Sequence, residues 1–228
     1  MKALLCARAG APEDLIIGEV PDPIAAPGQA VVRVEAAALN FFDLLIIAGK
    51  YQYKPEFPFS PGAEFAGVIE SLGPGVEGFE VGERVIGYAR YGAAREKIAA
   101  DAGRLVRIPA GLAAERAAGL IVTYGTSYYA LKDRANLKQG ETLAVLGASG
   151  GVGLAAVELG KLMGARVIAC ASSDEKLEFA KEHGADHGLP HLGAGAHNGQ
   201  AQSASSFFIR PSRSPGGRCG PRGREPRA

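Results

Sequence analysis

Six consecutive residues, Ala148 to Gly153, have the types and spacing of a loop that binds a dinucleotide. They fit the fingerprint G-x-G-x-x-G with alanine in the first position, between an apolar strand and a helix-forming segment. Gly150 lets the main chain approach a pyrophosphate, and Gly153 lets helix and strand pack closely. The helix start offers free N–H groups to the phosphates. The alternative is a tight turn without a ligand. The candidate cofactor residues here are Ala148, Ser149, Gly150, Gly151, Val152 and Gly153.

The end of the next strand, about 20 residues on, is where a dinucleotide fold selects its cofactor. An acid there would bond the ribose 2′-hydroxyl of NADH, but this chain has Ser172 and Ser173, with Lys176 one turn later. Two hydroxyl groups and a cation suit a 2′-phosphate, so NADPH is favoured over NADH. Asp174 lies beyond the strand end. Alternatively, the serines only cap a helix and Lys176 is a solvated surface residue.

The positions of histidine and cysteine limit the chemistry of the first half of the chain. All four histidines follow residue 182, and no cysteine lies between Cys6 and Cys170. A zinc site there would lack its usual ligands, and no Ser-His-Asp or Cys-His nucleophile can form. His183, near a predicted helix end, is interpreted as a partner of the helix dipole. Metal catalysis is therefore not expected.

Two patterns of secondary structure divide the chain. Residues 1–110 alternate short β-rich runs with Gly/Pro turns, which predicts a β-barrel-like domain with one helix over residues 40–48, capped by Asn40. Helix formers follow from residue 113 to 135. From Glu141 the pattern is β-α-β-α, which predicts a parallel sheet. No third strand is expected after residue 186, so the strand at 166–171 is predicted to lie at an unprotected, aggregation-prone sheet edge.

Composition separates a tail from the body. Of the 228 residues, 47% are hydrophobic, and no apolar run is long enough for a membrane span or a signal peptide. Three cysteines fit a reducing compartment, so a cytoplasmic location is expected. Residues 191–228 hold six Arg against one Glu, a charge of +5, with seven Gly, four Pro and five Ser. This tail is predicted to be disordered, and the abrupt change of composition resembles an altered or truncated reading frame.

Four ordered motifs resemble the medium-chain dehydrogenase/reductase superfamily, and within it the zinc-free NADPH:quinone oxidoreductases of the zeta-crystallin-like branch. They cover most of residues 1–188 and read NFFDLLIIAGKYQYKPEFPFSPGAEFAGVI (40–69), GPGVEGFEVGERVIG (73–87), TYGTSYYAL (123–131) and LGASGGVGLAAVELGKLMGARVIACASSDEKLEFAKEHGAD (146–186). The resemblance implies an α+β GroES-like catalytic domain (1–120), the first half of an α/β Rossmann dinucleotide-binding domain (121–190) and the disordered tail (191–228), with substrate bound between the two domains.

The resemblance also bears on zinc. Zinc-dependent relatives carry cysteine where this chain has Asp43, histidine where it has Ala63 and cysteine near Val122, whereas Glu64 is kept. These departures agree with the count of histidines and cysteines. A zinc alcohol dehydrogenase is the competing enzyme hypothesis, and the missing ligands predict insensitivity to chelators.

The implied reaction is hydride transfer from NADPH to a quinone or an activated alkene such as an enone or enal. Without zinc, binding and orientation are the contribution of the protein, and a neutral hydrogen-bond donor would stabilise the developing charge on the substrate oxygen. By resemblance Asn40 and Tyr51 line the catalytic cleft, Tyr51 also approaches the nicotinamide, and Thr126 lies near its carboxamide. Alternatively, Asn40 is a helix cap, Tyr51 a surface aromatic and Thr126 an ordinary helix hydroxyl.

The sequence contains one of the two β-α-β-α-β halves of a dinucleotide fold. Relatives continue for more than a hundred residues, which complete the sheet, line the pocket and form a homodimer edge, so impaired turnover and a doubtful dimer are expected here. Two other classes stay open. One is an NADPH-binding module without turnover. The other is a protein that binds nucleic acid through its basic tail, for which only weak, nonspecific and salt-dependent attraction is expected.

Overall fold

The computed structural model describes residues 1–190 and the backbone of Phe207–Phe208. Contacts divide the chain into two compact units, residues 1–126 and 127–228. The first unit is rich in antiparallel strands and the second contains a parallel sheet with helices, which confirms the predicted order of a β-rich unit followed by an α/β unit. Among the described residues, no helix has the length and apolar character needed to cross a bilayer.

The first unit is built on a five-stranded antiparallel sheet. Its strands follow the order β6-β3-β4-β5-β7, and a separate antiparallel ribbon joins β1 to β2. Buried and half-buried residues alternate in β5, where Val85 and Gly87 are buried, which is typical of a sheet with one face in the core. The core of this sheet includes Val32, Phe65 and Ile69. The strand bounds are β1 (Lys2–Leu5), β2 (Ile16–Glu19), β3 (Gln29–Ala38), β4 (Glu64–Leu72), β5 (Arg84–Tyr88), β6 (Lys97–Asp101) and β7 (Leu105–Arg107).

Three helices accompany these strands. The predicted helix at 40–48 is α1 (Phe41–Ile47), which buries Ile46 and Ile47 against Cys6 and Phe59 and ends before Gly49, whose φ is 65°. Helix α2 (Ala114–Ala118) packs its alanines on Ala66 of β4. Helix α3 (Leu120–Tyr128) continues into a π-helical turn, Tyr129–Arg134. The predicted helical stretch from 113 to 135 is thus confirmed.

The second unit contains the β-α-β-α pattern expected from the sequence. It runs through β8 (Thr142–Leu146), α4 (Gly151–Leu162), β9 (Arg166–Ala171) and α5 (Asp174–Glu182). Strands β8 and β9 are parallel, with Leu143 opposite Val167 and Leu146 opposite Cys170. Because parallel strands end at the same edge, the loop after Leu146 and the serines after Ala171 leave the sheet on one side.

The structure corrects the predicted sheet edge. A third strand, β10 (His187–Pro190), pairs in parallel with β9, with His187 opposite Ile168. The expectation that residues 166–171 form an unprotected edge is therefore wrong, because β9 lies between β10 and β8. The short strand HGLP carries too weak an apolar pattern to be recognised from sequence.

The predicted disordered tail lies outside the described residues, apart from one short element. The backbone of β11 (Phe207–Phe208) pairs antiparallel with β8, with Phe207 opposite Val145. The described sheet of the second unit thus follows the order β10-β9-β8-β11.

Candidate functional site

The glycine loop of the second unit forms a sharp elbow between β8 and α4. Gly147 has a φ of 66°, and its carbonyl accepts a hydrogen bond from the Gly150 N–H at 3.0 Å. The buried Ala148 donates its N–H to the Cys170 carbonyl of the neighbouring strand at 3.2 Å. The elbow is therefore fixed to the ends of both parallel strands, as the fingerprint predicts.

Gly153 and Gly150 have different steric roles. A Cβ on Gly153 would lie 2.2 Å from the Gly147 carbonyl oxygen, so only glycine permits this approach of helix and strand. A Cβ on Gly150 would meet nothing closer than the same oxygen, at 3.4 Å. The fold itself therefore does not require glycine at position 150. An open position beside a helix N-terminus suits a phosphate group, so these residues fit a dinucleotide.

The start of α4 has hydrogen-bond donors to offer. The first intrahelical acceptor is the Gly150 carbonyl, which the Leu154 N–H reaches at 2.7 Å. The N–H groups of residues 151–153 precede that bond and have no acceptor within the helix. The positive end of the helix dipole lies at the same place. Ser127 Oγ also donates a hydrogen bond to the Val152 carbonyl in the first turn of α4, at 2.8 Å.

Ser172, Ser173 and Lys176 come together at the end of β9. Ser173 caps α5, because its Oγ accepts a bond from the Lys176 N–H at 3.4 Å. The Lys176 ammonium donates to Ser172 Oγ at 3.2 Å. All three residues are exposed. The helix-cap role considered for Ser173 is confirmed, whereas Ser172 and the Lys176 ammonium form a separate hydroxyl–cation pair.

A cavity of about 500 Å³ lies beside this pair. Its lining joins Ser149 of the elbow to Lys176 and Phe179 of α5. The other lining side chains are acidic, and they are Glu175, Glu178 and Glu182. Carboxylates repel a phosphate, so Lys176 is the one charged lining residue that would attract it. His183 lies outside it and pairs with Glu158, with Nδ1 and Oε1 2.6 Å apart.

In the first unit, Asn40 joins a buried pair of acids. Its side-chain Nδ2 donates to Glu64 Oε1 at 2.9 Å, and Glu64 Oε2 accepts the Val122 N–H at 2.8 Å. Asp43 Oδ2 accepts the Asn40 main-chain N–H at 2.7 Å. Asn40 occupies the N-cap position of α1, but its side chain bonds Glu64 and makes no capping hydrogen bond. Sequence predicted the cap position and missed this tertiary contact.

Asp43 and Glu64 are 2% and 1% exposed, so their charges are costly. Burial raises the pKa of Asp43, and the negative charge of Glu64 adds to the effect, while the N–H groups of Asn40 and Gly62 oppose it. Burial also raises the pKa of Glu64, against its hydrogen bonds from Asn40 and Val122. Asp43 Oδ1 is buried without a hydrogen-bond partner in the described chain. Of the two acids, Asp43 thus has the less complete set of hydrogen bonds.

Tyr51 lines a cavity of about 420 Å³ at the other end of α1. Its ring centroid lies 5.8 Å from that of Phe42. Arg90 borders the same cavity and lies over the Tyr53 ring at 5.4 Å. Burial raises the pKa of Tyr88, a further lining residue, which keeps its hydroxyl protonated. The cavity is therefore aromatic, with neutral donors and one cation.

The remaining predicted residues occupy separate places. Asn40 borders a smaller cavity of about 260 Å³, distinct from the one lined by Tyr51. Thr126 is exposed on α3, at the end of the first unit. Sequence reasoning missed Phe42, Tyr88 and Arg90, because isolated aromatic and basic residues carry no motif.

By resemblance, Asp43, Ala63 and Val122 stand at the positions of the zinc ligands of zinc-dependent relatives. Asp43 Oδ2 is engaged by the Asn40 N–H, Ala63 is fully buried and has no donor atom, and Val122 offers only its main chain. Within residues 1–190, no three His, Cys, Asp or Glu side chains form a group that could hold a metal ion.

Two family models match the chain. Residues 26–118 match the alcohol dehydrogenase GroES-like domain, and residues 151–203 match the zinc-binding dehydrogenase family. Quinone oxidoreductase-like protein 2 of Rattus norvegicus is 40% identical over 190 residues, which is 82% of this chain and 53% of that protein. The chain thus spans about half the length of the curated relatives it matches.

Two solved structures are also similar to this chain. A protein from Mycobacterium abscessus described as a "probable oxidoreductase" has a TM-score of 0.79 and 40% identity, covering 85% of this chain and 62% of its own. The quinone oxidoreductase of Thermus thermophilus, solved alone and in complex with NADPH, has a TM-score of 0.73 and 39% identity. That match covers 82% of this chain and 59% of the other.

Proposed function

Since the chain belongs to the medium-chain dehydrogenase/reductase superfamily and resembles its quinone oxidoreductases, we propose that it acts as a zinc-independent NADPH-dependent oxidoreductase. The acceptor class is a quinone or an activated alkene, such as an enone or enal. The chain covers only part of the length of its relatives, so the activity of the whole relatives is a proposal for this chain.

The elbow at residues 148–153 is the observation that carries the proposal. Gly153 brings helix and strand together, and Gly150 leaves room for a pyrophosphate next to the unbonded N–H groups of α4. The named complex of the Thermus thermophilus relative contains NADPH. We therefore assign the pyrophosphate of a reduced nicotinamide dinucleotide to Ser149–Gly153.

The choice of NADPH rests on Ser172 and Lys176. Their side chains already lie within hydrogen-bond distance of each other, and both are exposed beside the cavity that Ser149 lines. A 2′-phosphate can accept bonds from the hydroxyl and the ammonium together, whereas a 2′-hydroxyl gains little from the cation. Ser173 acts mainly through the cap of α5, which fixes the position of Lys176.

Zinc independence rests on the donor atoms at the positions of the family ligands. Ala63 and Val122 have no side-chain donor atom, which leaves Asp43 as the one possible side-chain ligand at these three positions. Zinc sites need three protein ligands in catalytic form, so this arrangement does not fit one. No step of the proposed reaction uses a metal.

The bound cofactor would supply a hydride, and the chain must orient the acceptor and stabilise its oxygen. We assign the second task to Tyr51, whose phenol is a neutral donor in an aromatic cavity that suits a planar quinone. Asn40 borders a different cavity from Tyr51, and its amide nitrogen is held by Glu64, so its role in the catalytic cleft stays a prediction. Thr126, exposed on α3, is assigned to the nicotinamide carboxamide.

A second candidate is an NADPH-binding module without turnover. The described sheet of the second unit has three parallel strands, β8, β9 and β10, which correspond to one of the two halves of a dinucleotide fold. That half holds the elbow and the Ser172–Lys176 pair, which are the residues proposed to bind the pyrophosphate and the 2′-phosphate.

Two measurements on the whole chain separate these candidates. The first is the equilibrium affinity for NADPH and NADH, for which we expect at least a tenfold preference for NADPH. The second is NADPH consumption with 1,4-benzoquinone and with cyclohexenone, with and without a chelator, where activity should not depend on the chelator. Binding without consumption selects the second candidate, and absence of NADPH binding refutes both. A cytoplasmic location remains a prediction, as does a homodimer for the full-length family that is doubtful for this chain.

A further inference from the structure

A third cavity in the first unit, distinct from those beside Tyr51 and Asn40, encloses about 440 Å³. Its lining shares only Tyr53 with the Tyr51 cavity. This volume falls in the range of small-molecule sites. The aromatic wall consists of Tyr53, Phe59 and Tyr91, with Tyr91 5.7 Å from Tyr53 and 6.0 Å edge-on from Phe59.

The walls of this cavity are fixed by main-chain hydrogen bonds to the first strand. The Leu4 N–H donates to the Ala94 carbonyl at 2.9 Å, and the Cys6 N–H donates to the Phe59 carbonyl at 2.8 Å. Ser60 Oγ donates to the same Ala94 carbonyl at 3.0 Å. The loop at 91–95 is thus tied to β1, and the loop at 53–60 is tied to Cys6, which directly follows β1, so the cavity is built into the fold.

Arg95 places a cation without an anionic partner in this cavity. Its guanidinium is half-buried and bonds the Gly92 carbonyl through Nε at 2.5 Å. No carboxylate of the described chain forms an ion pair with it. Burial lowers the pKa of Arg95, because removal from water disfavours its charge. The unused N–H groups of the guanidinium match the two oxygens of a carboxylate.

The other charged lining residues do not neutralise Arg95. Lys54 is exposed and adds a second positive charge at the cavity wall. Glu56 also lines the cavity, but it is exposed, so water screens its charge. The cavity therefore combines a net positive charge with aromatic surfaces.

We propose that this cavity is a binding site for a small aromatic carboxylate, with the carboxylate on Arg95 and the ring against Tyr53, Phe59 and Tyr91. The site is separate from the nucleotide elbow and uses none of the residues assigned to hydride transfer. An anion alone would use Arg95 but leave the aromatic walls uncovered, and a neutral ring would leave Arg95 unpaired.

Benzoate, benzamide and acetate test the two halves of this proposal on the whole chain. Binding is followed by NMR of the tyrosine rings, among which Tyr53 and Tyr91 should shift and Tyr128 should not. We expect benzoate to bind at least tenfold more tightly than either benzamide or acetate. Equal affinity of wild-type chain for benzoate and benzamide, or shifts confined to other tyrosines, overturns the proposal without any variant.

The variant Arg95→Gln adds a direct test. It should weaken benzoate binding at least tenfold and leave benzamide binding unchanged. The matched control is Arg33→Gln, which removes an arginine that is exposed on β3 and paired with Glu35 at 3.4 Å. Unchanged benzoate affinity in a folded Arg95→Gln chain, or an equal loss in Arg33→Gln, contradicts the assignment.

Discussion

Replacing Gly153 with alanine tests the packing on which the dinucleotide elbow depends. The new Cβ would lie 2.2 Å from the Gly147 carbonyl oxygen and 2.9 Å from its carbon. Ordinary C···O contacts are about 3.3 Å or longer, so helix and strand must separate by about 1 Å. Overpacking of this kind costs about 1–3 kcal/mol, and alanine returns up to about 1 kcal/mol of helix propensity. We expect a net loss of about 1–2 kcal/mol of unfolding free energy.

The companion variant Gly150→Ala separates binding from folding. Its Cβ would lie 3.4 Å from the nearest atom, which is ordinary contact, so the unfolding free energy should change by less than about 0.5 kcal/mol. The same Cβ would stand in the space proposed for the pyrophosphate. We expect NADPH affinity to fall at least tenfold, equivalent to about 1.4 kcal/mol.

Urea unfolding and equilibrium NADPH binding measure the two effects. With an m-value of about 1–3 kcal/mol/M, a loss of about 1–2 kcal/mol should lower the urea midpoint of Gly153→Ala by about 0.3–2 M. Gly125→Ala is the matched control, since its Cβ meets no atom within 4 Å on α3 and should not destabilise the chain. A Gly153→Ala chain as stable as wild type would refute the steric argument, and a Gly150→Ala chain with unchanged NADPH affinity would refute the phosphate assignment.

Three further variants address the charges and hydroxyls of the site. Burial raises the pKa of Asp43, so the folded state keeps that proton to higher pH than the unfolded state does. Between the pKa of the unfolded state and the raised pKa of the folded state, the unfolding free energy therefore falls as pH rises, by at most about 1.4 kcal/mol per pH unit. Asp43→Asn should flatten this dependence of unfolding free energy on pH in urea titrations. The control Asp14→Asn changes an exposed acid that accepts a similar main-chain hydrogen bond, and it should leave the slope unchanged. Equal slopes in the wild type and both variants contradict the idea. Lys176→Gln should lower the affinity for NADPH about tenfold and leave the affinity for NADH unchanged, as measured by direct binding. An equal loss of affinity for both cofactors would contradict the 2′-phosphate assignment. Tyr51→Phe should lower kcat/KM with a quinone about 10- to 100-fold without changing NADPH affinity, and retention of full turnover would exclude Tyr51 as the donor.

The elbow and the elements around it could be predicted from sequence because their determinants are local. The apolar run of β8, the glycine spacing from Gly150 to Gly153 and the Ser173 cap all act within a few residues of one another. Helix α1 was equally readable, with Asn40 before it and Gly49 after it. Such signals favour a backbone conformation through near neighbours in sequence, so a short stretch is enough to predict it.

The tertiary structure decided the features that join distant parts of the chain. Only the fold turns the Asn40 amide towards Glu64, which lies 24 residues away, and brings Val122 to the same carboxylate from 58 residues away. Two other features also depend on distant contacts. Strand β10 pairs with β9, and Arg95 lies against β1 without an anionic partner in the described chain. In each case the deciding contact is non-local, and its energy depends on burial that no short stretch of sequence specifies.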